Sequence, residues 1–110
     1  MRLFILGASG GVGSSLVAQA AARGHSVTAQ TRTAAKIRET TAVHAVVGAP
    51  DDEAFLRHHL AGYDAAVLCI GIGGIGPTTL FSDTTRALIA AMREAGVGRL
   101  VAVTGIGAGD

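Results

Sequence analysis

The sequence has few of the features that mark a disulfide-bonded, membrane-bound or nucleic-acid-binding protein. Its 110 residues include one cysteine, Cys69, so no disulfide can form within the chain. No apolar run approaches the roughly 20 residues that cross a bilayer, and the run at 3–6 is shorter than a signal-peptide core. The formal net charge of +1 gives no field that would attract nucleic acid or an anionic membrane. These absences predict a soluble, cytoplasmic protein that holds any anion by local contacts.

Aromatic residues are also scarce, at 4% against 49% hydrophobic residues, so the core must consist mainly of Ala, Val, Ile and Leu. That mixture is typical of a parallel sheet covered by helices. Short apolar runs predict five strands, at 3–6, 27–31, 44–47, 65–70 and 100–104. Helical patterns lie between them, at 12–23, 34–40, 52–61 and 78–95. The pattern predicts one α/β domain of the Rossmann type over residues 1–110, with a doubly wound parallel sheet in strand order 3-2-1-4-5.

Turn residues support these boundaries. Gly24, Gly62 and Gly96 each follow a predicted helix, where a left-handed residue closes the last turn at low steric cost. Either Asp51 or Asp52 is expected to cap the third helix. Ligands of such folds bind at the carboxyl ends of the strands, beside the point where the strand order reverses.

A glycine-rich turn follows the first strand and opens the first helix, with the sequence Gly7-Ala8-Ser9-Gly10-Gly11-Val12-Gly13. The first glycine allows a tight turn, the middle glycines let backbone amides approach a pyrophosphate, and the last lets the helix pack closely on the sheet. The helix start adds unpaired N–H groups and a positive dipole end. Because 16 glycines give chance matches, the alternative is an ordinary strand-to-helix turn without a ligand.

The end of the second strand indicates which dinucleotide is bound. A site for NAD(H) usually has Asp or Glu there to accept hydrogen bonds from the ribose hydroxyls. This chain has Gln30-Thr31-Arg32-Thr33, with Lys36 shortly after, which offers a guanidinium, two hydroxyls and an ammonium to a 2′-phosphate. Arg32 is the principal candidate, so the sequence favours NADP(H) over NAD(H). A solvated arginine without a ligand is the alternative.

Other reactive side chains give weaker signals. The four histidines show no metal-ligand spacing, and His58 and His59 are expected on the surface of the third helix. Cys69 is expected to be a buried structural thiol. Thr104, at the end of the fifth strand, is the one catalytic candidate, because its hydroxyl would lie near the nicotinamide and could bond to a substrate. Its alternative is a simple strand residue, since no general base accompanies it.

Three segments together resemble the atypical short-chain dehydrogenase/reductases: the glycine turn, the end of the second strand, and Pro77-Thr78-Thr79 before the fourth helix. The similarity spans nearly the whole chain, and within the group it is greatest to flavin reductases of the biliverdin reductase B type and to NmrA-like proteins. It implies that the pyrophosphate is surrounded by Gly7, Ser9, Gly10, Val12 and Gly13. It also implies that Arg32 holds the 2′-phosphate and that Gly71 and Ile72 line the nicotinamide side.

The chain departs from this group in three ways. Ala49 stands where members commonly have an Asp that contacts the adenine. The Tyr-x-x-x-Lys pair of standard members is missing, because Val67 follows the only tyrosine, Tyr63, by four positions. Members also continue past the fifth strand, so this sequence is expected to be incomplete as a catalyst, or to cover its open edge at 100–106 by forming a homodimer.

Two functions fit these observations. The first is the cofactor-binding part of an NAD(P)H-dependent reductase that transfers hydride to a flavin-like or quinone-like acceptor, a reaction that needs few protein acids and bases. The second is a non-catalytic module that senses NADP, as the NmrA-like regulators do. The missing Tyr and Lys pair is compatible with both and weakens a third possibility, a sugar epimerase or dehydratase.

Overall fold

The computed structural model describes residues 1–8, 10–69 and 79–102. In chain order the elements are β1 (Arg2–Leu6), α1 (Gly11–Ala22), β2 (Ser26–Thr31), a 3₁₀ turn (Ala34–Lys36), β3 (Val43–Val47), α2 (Glu53–Leu60), β4 (Ala65–Leu68), α3 (Thr79–Ala95) and β5 (Leu100–Ala102). All the strand pairs are parallel, and the sheet order is β3-β2-β1-β4-β5. The predicted Rossmann-type topology is therefore confirmed.

Side chains of the three central strands, β2, β1 and β4, are mostly buried on both faces of the sheet, as is typical of parallel sheets covered by helices. On one face Phe4 and Leu6 pack with residues of α2 and α3, including Leu56 and Leu88. On the other face Ile5 packs with residues of α1 and β2. Because full burial of such a side chain stabilises the fold by about 1.5–3 kcal/mol, these two clusters hold the helices on the sheet.

The helices end where glycines were predicted to close their last turns. Gly24, Gly62 and Gly96 have φ angles of 88°, 88° and 75°, in the left-handed region where a side chain would be strained. Asp52 caps α2, since its carboxylate accepts a hydrogen bond from the Phe55 amide at 3.2 Å. Of the two candidate caps, the structure therefore selects Asp52.

The segment between β2 and β3 differs from the prediction. Residues 34–40 were expected to form a short helix, but only the 3₁₀ turn Ala34–Lys36 forms. The Thr40 hydroxyl accepts hydrogen bonds from the amides of Ala42 and Val43, both at 3.1 Å. This local turn competes with helical hydrogen bonding, so the helix prediction was wrong beyond the 3₁₀ turn.

The last two strands are described over shorter ranges than predicted. β4 ends at Leu68 and the described part of β5 ends at Ala102. Residues 70, 103 and 104 of the predicted strands lie outside the described residues. No helix within the described ranges is long and apolar enough to cross a membrane.

Candidate functional site

The glycine turn brings a set of backbone amides to the carboxyl edge of the sheet. Gly7 follows β1 with φ 75°, and its carbonyl accepts the Gly10 amide at 3.3 Å. The first amide bonded within α1 is that of Ser14, which donates to the Gly10 carbonyl at 2.8 Å. The amides from Gly11 to Gly13 precede this bond and have no intrahelical acceptor. With no acidic residue in the first turn of α1, this end of the helix favours an anion.

The structure accounts differently for glycine at each position of the turn. A Cβ at Gly13 would lie 2.1 Å from the Gly7 oxygen and 2.8 Å from the Ala8 Cα, so the helix packs directly on the turn. Among the described residues, a Cβ at Gly10 would meet only an ordinary contact at 3.7 Å, and one at Gly11 would meet nothing within 4 Å. The fold therefore requires glycine at Gly7 and Gly13, whereas Gly10 and Gly11 leave exposed backbone open to a ligand.

A buried glutamine connects this turn to the end of β3, and the sequence did not predict that role. Gln30 is 2% exposed. Its Oε1 accepts a hydrogen bond from the Gly7 amide at 2.8 Å, and its Nε2 donates to the Gly48 carbonyl at 2.7 Å. The available signal was a long amide side chain in a strand predicted to lie inside the sheet, because a buried amide needs partners.

The side chains beyond β2 divide into buried and exposed groups. Thr31 is 2% exposed, and its hydroxyl donates to the Thr33 carbonyl at 3.1 Å. It is therefore unavailable to a phosphate, which corrects the expectation of two free hydroxyls. Arg32, Thr33 and Lys36 are exposed. Arg32 has no hydrogen bond or ion pair with any residue in the described ranges.

A groove of about 320 Å³ lies between α1 and the segment that begins at Lys36. One wall follows α1 from Ser14 to Ala21, and Lys36 and Arg38 lie on the opposite wall. The nearby carboxylate of Glu39 lies 3.0 Å from the His44 Nδ1. Glu39 is thus paired with His44, and the cationic side chains of Lys36 and Arg38 line the groove that reaches Ala8 of the glycine turn.

The remaining reactive side chains are placed as follows. Cys69 is buried, as expected, and burial raises the pKa of its thiol. His58 is exposed, but His59 is half-buried against the rings of Phe4 and Phe55, so the surface assignment of His59 was wrong. Over residues 1–8, 10–69 and 79–102, no group of three or more His, Cys, Asp or Glu could hold a metal ion.

Four of the predicted site residues lie outside the described residues: Ser9, Gly71, Ile72 and Thr104. The others converge on one edge of the sheet, because Gly7 follows β1 and Arg32 follows β2, two strands that pair in parallel. The exposed side chain of Val12, at 45%, lies in the first turn of α1 beside Gly11 and Gly13.

Several known proteins resemble this chain in sequence and in fold. The chain is 33% identical over 107 residues to the uncharacterized protein YwnB of Bacillus subtilis, covering 97% of this chain and 48% of that protein. A solved protein of Burkholderia pseudomallei, described as exported, is 34% identical with a TM-score of 0.77, covering 97% of this chain and 49% of that one. A Rossmann-fold NAD(P)-binding family protein of Shigella flexneri is 25% identical with a TM-score of 0.79, covering 99% and 54%.

The chain thus spans about half the length of the relatives that it matches. The model of the NAD(P)H-binding family matches residues 7–110, a range that begins at the first glycine of the turn. With the strand order, the glycine turn and this match in agreement, the chain belongs to the NAD(P)H-binding family.

Proposed function

We propose that the chain binds NADP(H) in preference to NAD(H), as the cofactor-binding part of an oxidoreductase. The observation that carries the proposal is the exposed guanidinium of Arg32, which is unpaired within the described residues and follows the strand beside the glycine turn. A planar guanidinium binds phosphate oxygens through paired, charge-assisted hydrogen bonds.

The pyrophosphate of the cofactor would bind at the start of α1. The amides of Gly11, Val12 and Gly13 are the donors, and the helix dipole adds about half a positive charge at this end. Gly10 and Gly11 support this assignment, because no close contact with the described residues explains their missing side chains. We include Ser9 of the same turn in the pyrophosphate site, because the family resemblance implies it.

The ribose end of the site supports NADP(H). Both polar ends of the Gln30 amide and the Thr31 hydroxyl are engaged inside the protein. Because Gln30 and Thr31 are each only 2% exposed, neither can reach a ribose 2′-hydroxyl to accept its hydrogen bond, the contact that selects NAD(H). Arg32, with Thr33 and Lys36 exposed nearby, instead offers donors to a 2′-phosphate.

The reaction that we propose is hydride transfer to a flavin-like or quinone-like acceptor. When bound, the cofactor supplies the hydride, and the protein positions its nicotinamide. The family resemblance implies that Gly71 and Ile72 line the nicotinamide. From its position at the end of the predicted fifth strand, the Thr104 hydroxyl would bond to the carboxamide or the acceptor. A flavin or quinone suits a site with few acids and bases, because such an acceptor carries its own electron sink.

The position of the only tyrosine is also compatible with a second function, the sensing of NADP without turnover. The only tyrosine, Tyr63, precedes β4 at the amino-terminal edge of the sheet, opposite the glycine turn. Its hydroxyl forms a hydrogen bond with that of Thr28, and the Arg2 guanidinium lies 4.5 Å from its ring centre. Tyr63 is therefore unsuited to act as the catalytic acid.

Titration with NADPH and NADH, followed by a test for turnover, separates these functions. Tighter binding of NADPH supports the cofactor assignment, and equal binding contradicts it. Loss of NADPH absorbance on addition of flavin or quinone acceptors supports the reductase. Tight binding without oxidation of NADPH, in a chain extended to the length of the relatives, contradicts the reductase and supports the sensor.

We also propose that the protein works in a reducing cytoplasm, where the free Cys69 thiol persists.

The edge strand β5 further leads us to propose a homodimer that forms through this strand. Val101, on β5, shares a sheet face with Val67 and is 47% exposed. In light scattering, Val101→Lys should convert the dimer to a monomer. The matched control is Val47→Lys on β3, at the opposite edge of the sheet, where the residue is 55% exposed. A monomeric wild-type chain contradicts the dimer.

A further inference from the structure

Gln30 forms a direct side-chain connection between two strands that do not pair with each other. β1 and β3 each pair with β2, and Gln30 lies on β2 between them. Its amide bonds to the Gly7 amide, just after β1, and to the Gly48 carbonyl, just after β3. The ends of the three strands are therefore joined at the carboxyl edge through one side chain.

The hydrogen bonds of Gln30 are fully internal. The side chain is 2% exposed, and each end of its amide has a backbone partner within 2.8 Å. Leaving either end of such a buried amide unpaired is unfavourable, so the amide is held in one orientation. Gln30 therefore acts on any ligand through the backbone that it holds and does not touch the ligand.

Both partners of Gln30 belong to rigid surroundings. Gly7 has φ 75°, and its carbonyl accepts the Gly10 amide and lies against Gly13. Gly48 packs on the Phe55 ring so closely that a Cβ would lie 2.4 Å from it. Fixing Gly7 relative to Gly48 consequently fixes the start of α1 relative to the end of β3.

We propose that Gln30 is a positioning residue for the adenosine half of the dinucleotide site, an inference that rests on the proposed function. The pyrophosphate lies at the glycine turn and the 2′-phosphate at Arg32, so the ribose between them passes the edge that Gln30 holds. The amide sets the separation between the turn and the β3 end and thereby the alignment of both phosphate sites.

Two substitutions test this role. Gln30→Leu removes both hydrogen bonds at nearly constant volume and should weaken NADPH binding at least tenfold. Gln30→Glu keeps the acceptor for the Gly7 amide, but as a carboxylate it faces the Gly48 carbonyl without a donor. When protonated, the same side chain donates to that carbonyl and replaces the amide, and burial favours this neutral form.

The pH profile of NADPH affinity separates positioning from a general loss of stability. For Gln30→Glu, the affinity relative to wild type should be low at pH 8 and recover towards pH 5.5. Wild-type affinities measured at each pH account for titration of the NADPH 2′-phosphate. The relative affinity of Gln30→Leu for NADPH should not recover at low pH. All titrations are run well below the unfolding temperature of each variant. Wild-type affinity in both variants at every pH overturns the proposal, and if Gln30→Leu does not fold, the Gln30→Glu profile still decides.

A measurement without ligand separates this inference from the proposed function. Hydrogen exchange of the amides at 7–13 should rise in Gln30→Leu. It should stay unchanged in the control Thr28→Val, which alters a buried polar residue of the same strand. If the wild type binds neither dinucleotide and the turn still exchanges faster, the proposed function fails while the positioning of the turn stands. Unchanged exchange at 7–13 in Gln30→Leu overturns the positioning role.

Discussion

A Cβ on Gly13 would come within 2.1 Å of the Gly7 carbonyl oxygen, so the first turn of α1 rests directly on the turn that follows β1. This contact places the first turn of α1, with the amides of Gly11 and Val12 that have no intrahelical acceptor, at the carboxyl edge of the sheet. Gly11 has no such restriction from the described part of the chain, since its Cβ would meet none of those residues within 4 Å. The same motif thus contains glycines required by packing and glycines left open for a ligand.

Alanine substitutions at these two glycines should separate stability from binding. Gly13→Ala places a methyl group on backbone atoms that cannot move aside, and we expect the free energy of unfolding to fall by about 3 kcal/mol or more. Gly11→Ala should leave stability unchanged or raise it by up to about 1 kcal/mol, because alanine favours a helix, while NADPH binds about tenfold more weakly. Urea unfolding and titration with NADPH measure the two effects. Equal losses of stability in both variants would contradict this division.

Replacement of the guanidinium at the end of β2 should change the choice of cofactor. Arg32→Ala removes a charge-assisted contact to the 2′-phosphate, worth about 1.5–3 kcal/mol. NADPH affinity should therefore fall about 10- to 100-fold, while NADH affinity changes little. The control is Arg99→Ala, an exposed arginine before β5 at the opposite edge of the sheet. The 2′-phosphate role is wrong if Arg32→Ala weakens both dinucleotides equally.

The sheet was predictable because its strands are apolar and its turns carry glycine at the required places. Gly24, Gly62 and Gly96 adopt the left-handed conformation expected from their positions alone. The order of the strands followed from the alternation of helices and strands, since right-handed crossovers leave few arrangements. Local chemistry was therefore sufficient for the sheet and its strand order, although not for the segment at 34–40.

The candidate site was only partly predictable, because several of its side chains depend on partners distant in sequence. Gln30 bonds to Gly7, 23 positions away, and to Gly48, 18 positions away. The sequence offers the Thr31 hydroxyl to a phosphate, whereas in the structure Thr31 is buried and its hydroxyl donates to the Thr33 carbonyl. His59 lies against Phe4, 55 positions away in sequence, which the α2 pattern alone does not reveal.

The half-buried His59 should make stability depend on pH. Burial lowers the pKa of its imidazole below the usual 6.5, with smaller contributions from His58 and His44. As the pH falls below about 6.5, the unfolded chain therefore takes up a proton before the folded chain does, and stability is lost. His59→Phe should remove this part of the dependence while keeping an aromatic ring beside Phe55. Chemical denaturation between pH 5 and 8 tests this, and identical slopes for wild type and variant would contradict it.

Two buried threonines should respond in opposite ways to replacement by valine. Thr84, on α3, is fully buried, and its hydroxyl has no hydrogen-bond partner within the described ranges, whereas the hydroxyl of Thr28 bonds to that of Tyr63. An unpaired buried hydroxyl costs about 1–3 kcal/mol, so Thr84→Val should raise the free energy of unfolding by about 1 kcal/mol. Thr28→Val should lower it by a similar amount, because it leaves the Tyr63 hydroxyl without this partner. Urea unfolding of both variants gives the signs, and a loss of stability in Thr84→Val would mean that its hydroxyl is bonded in solution.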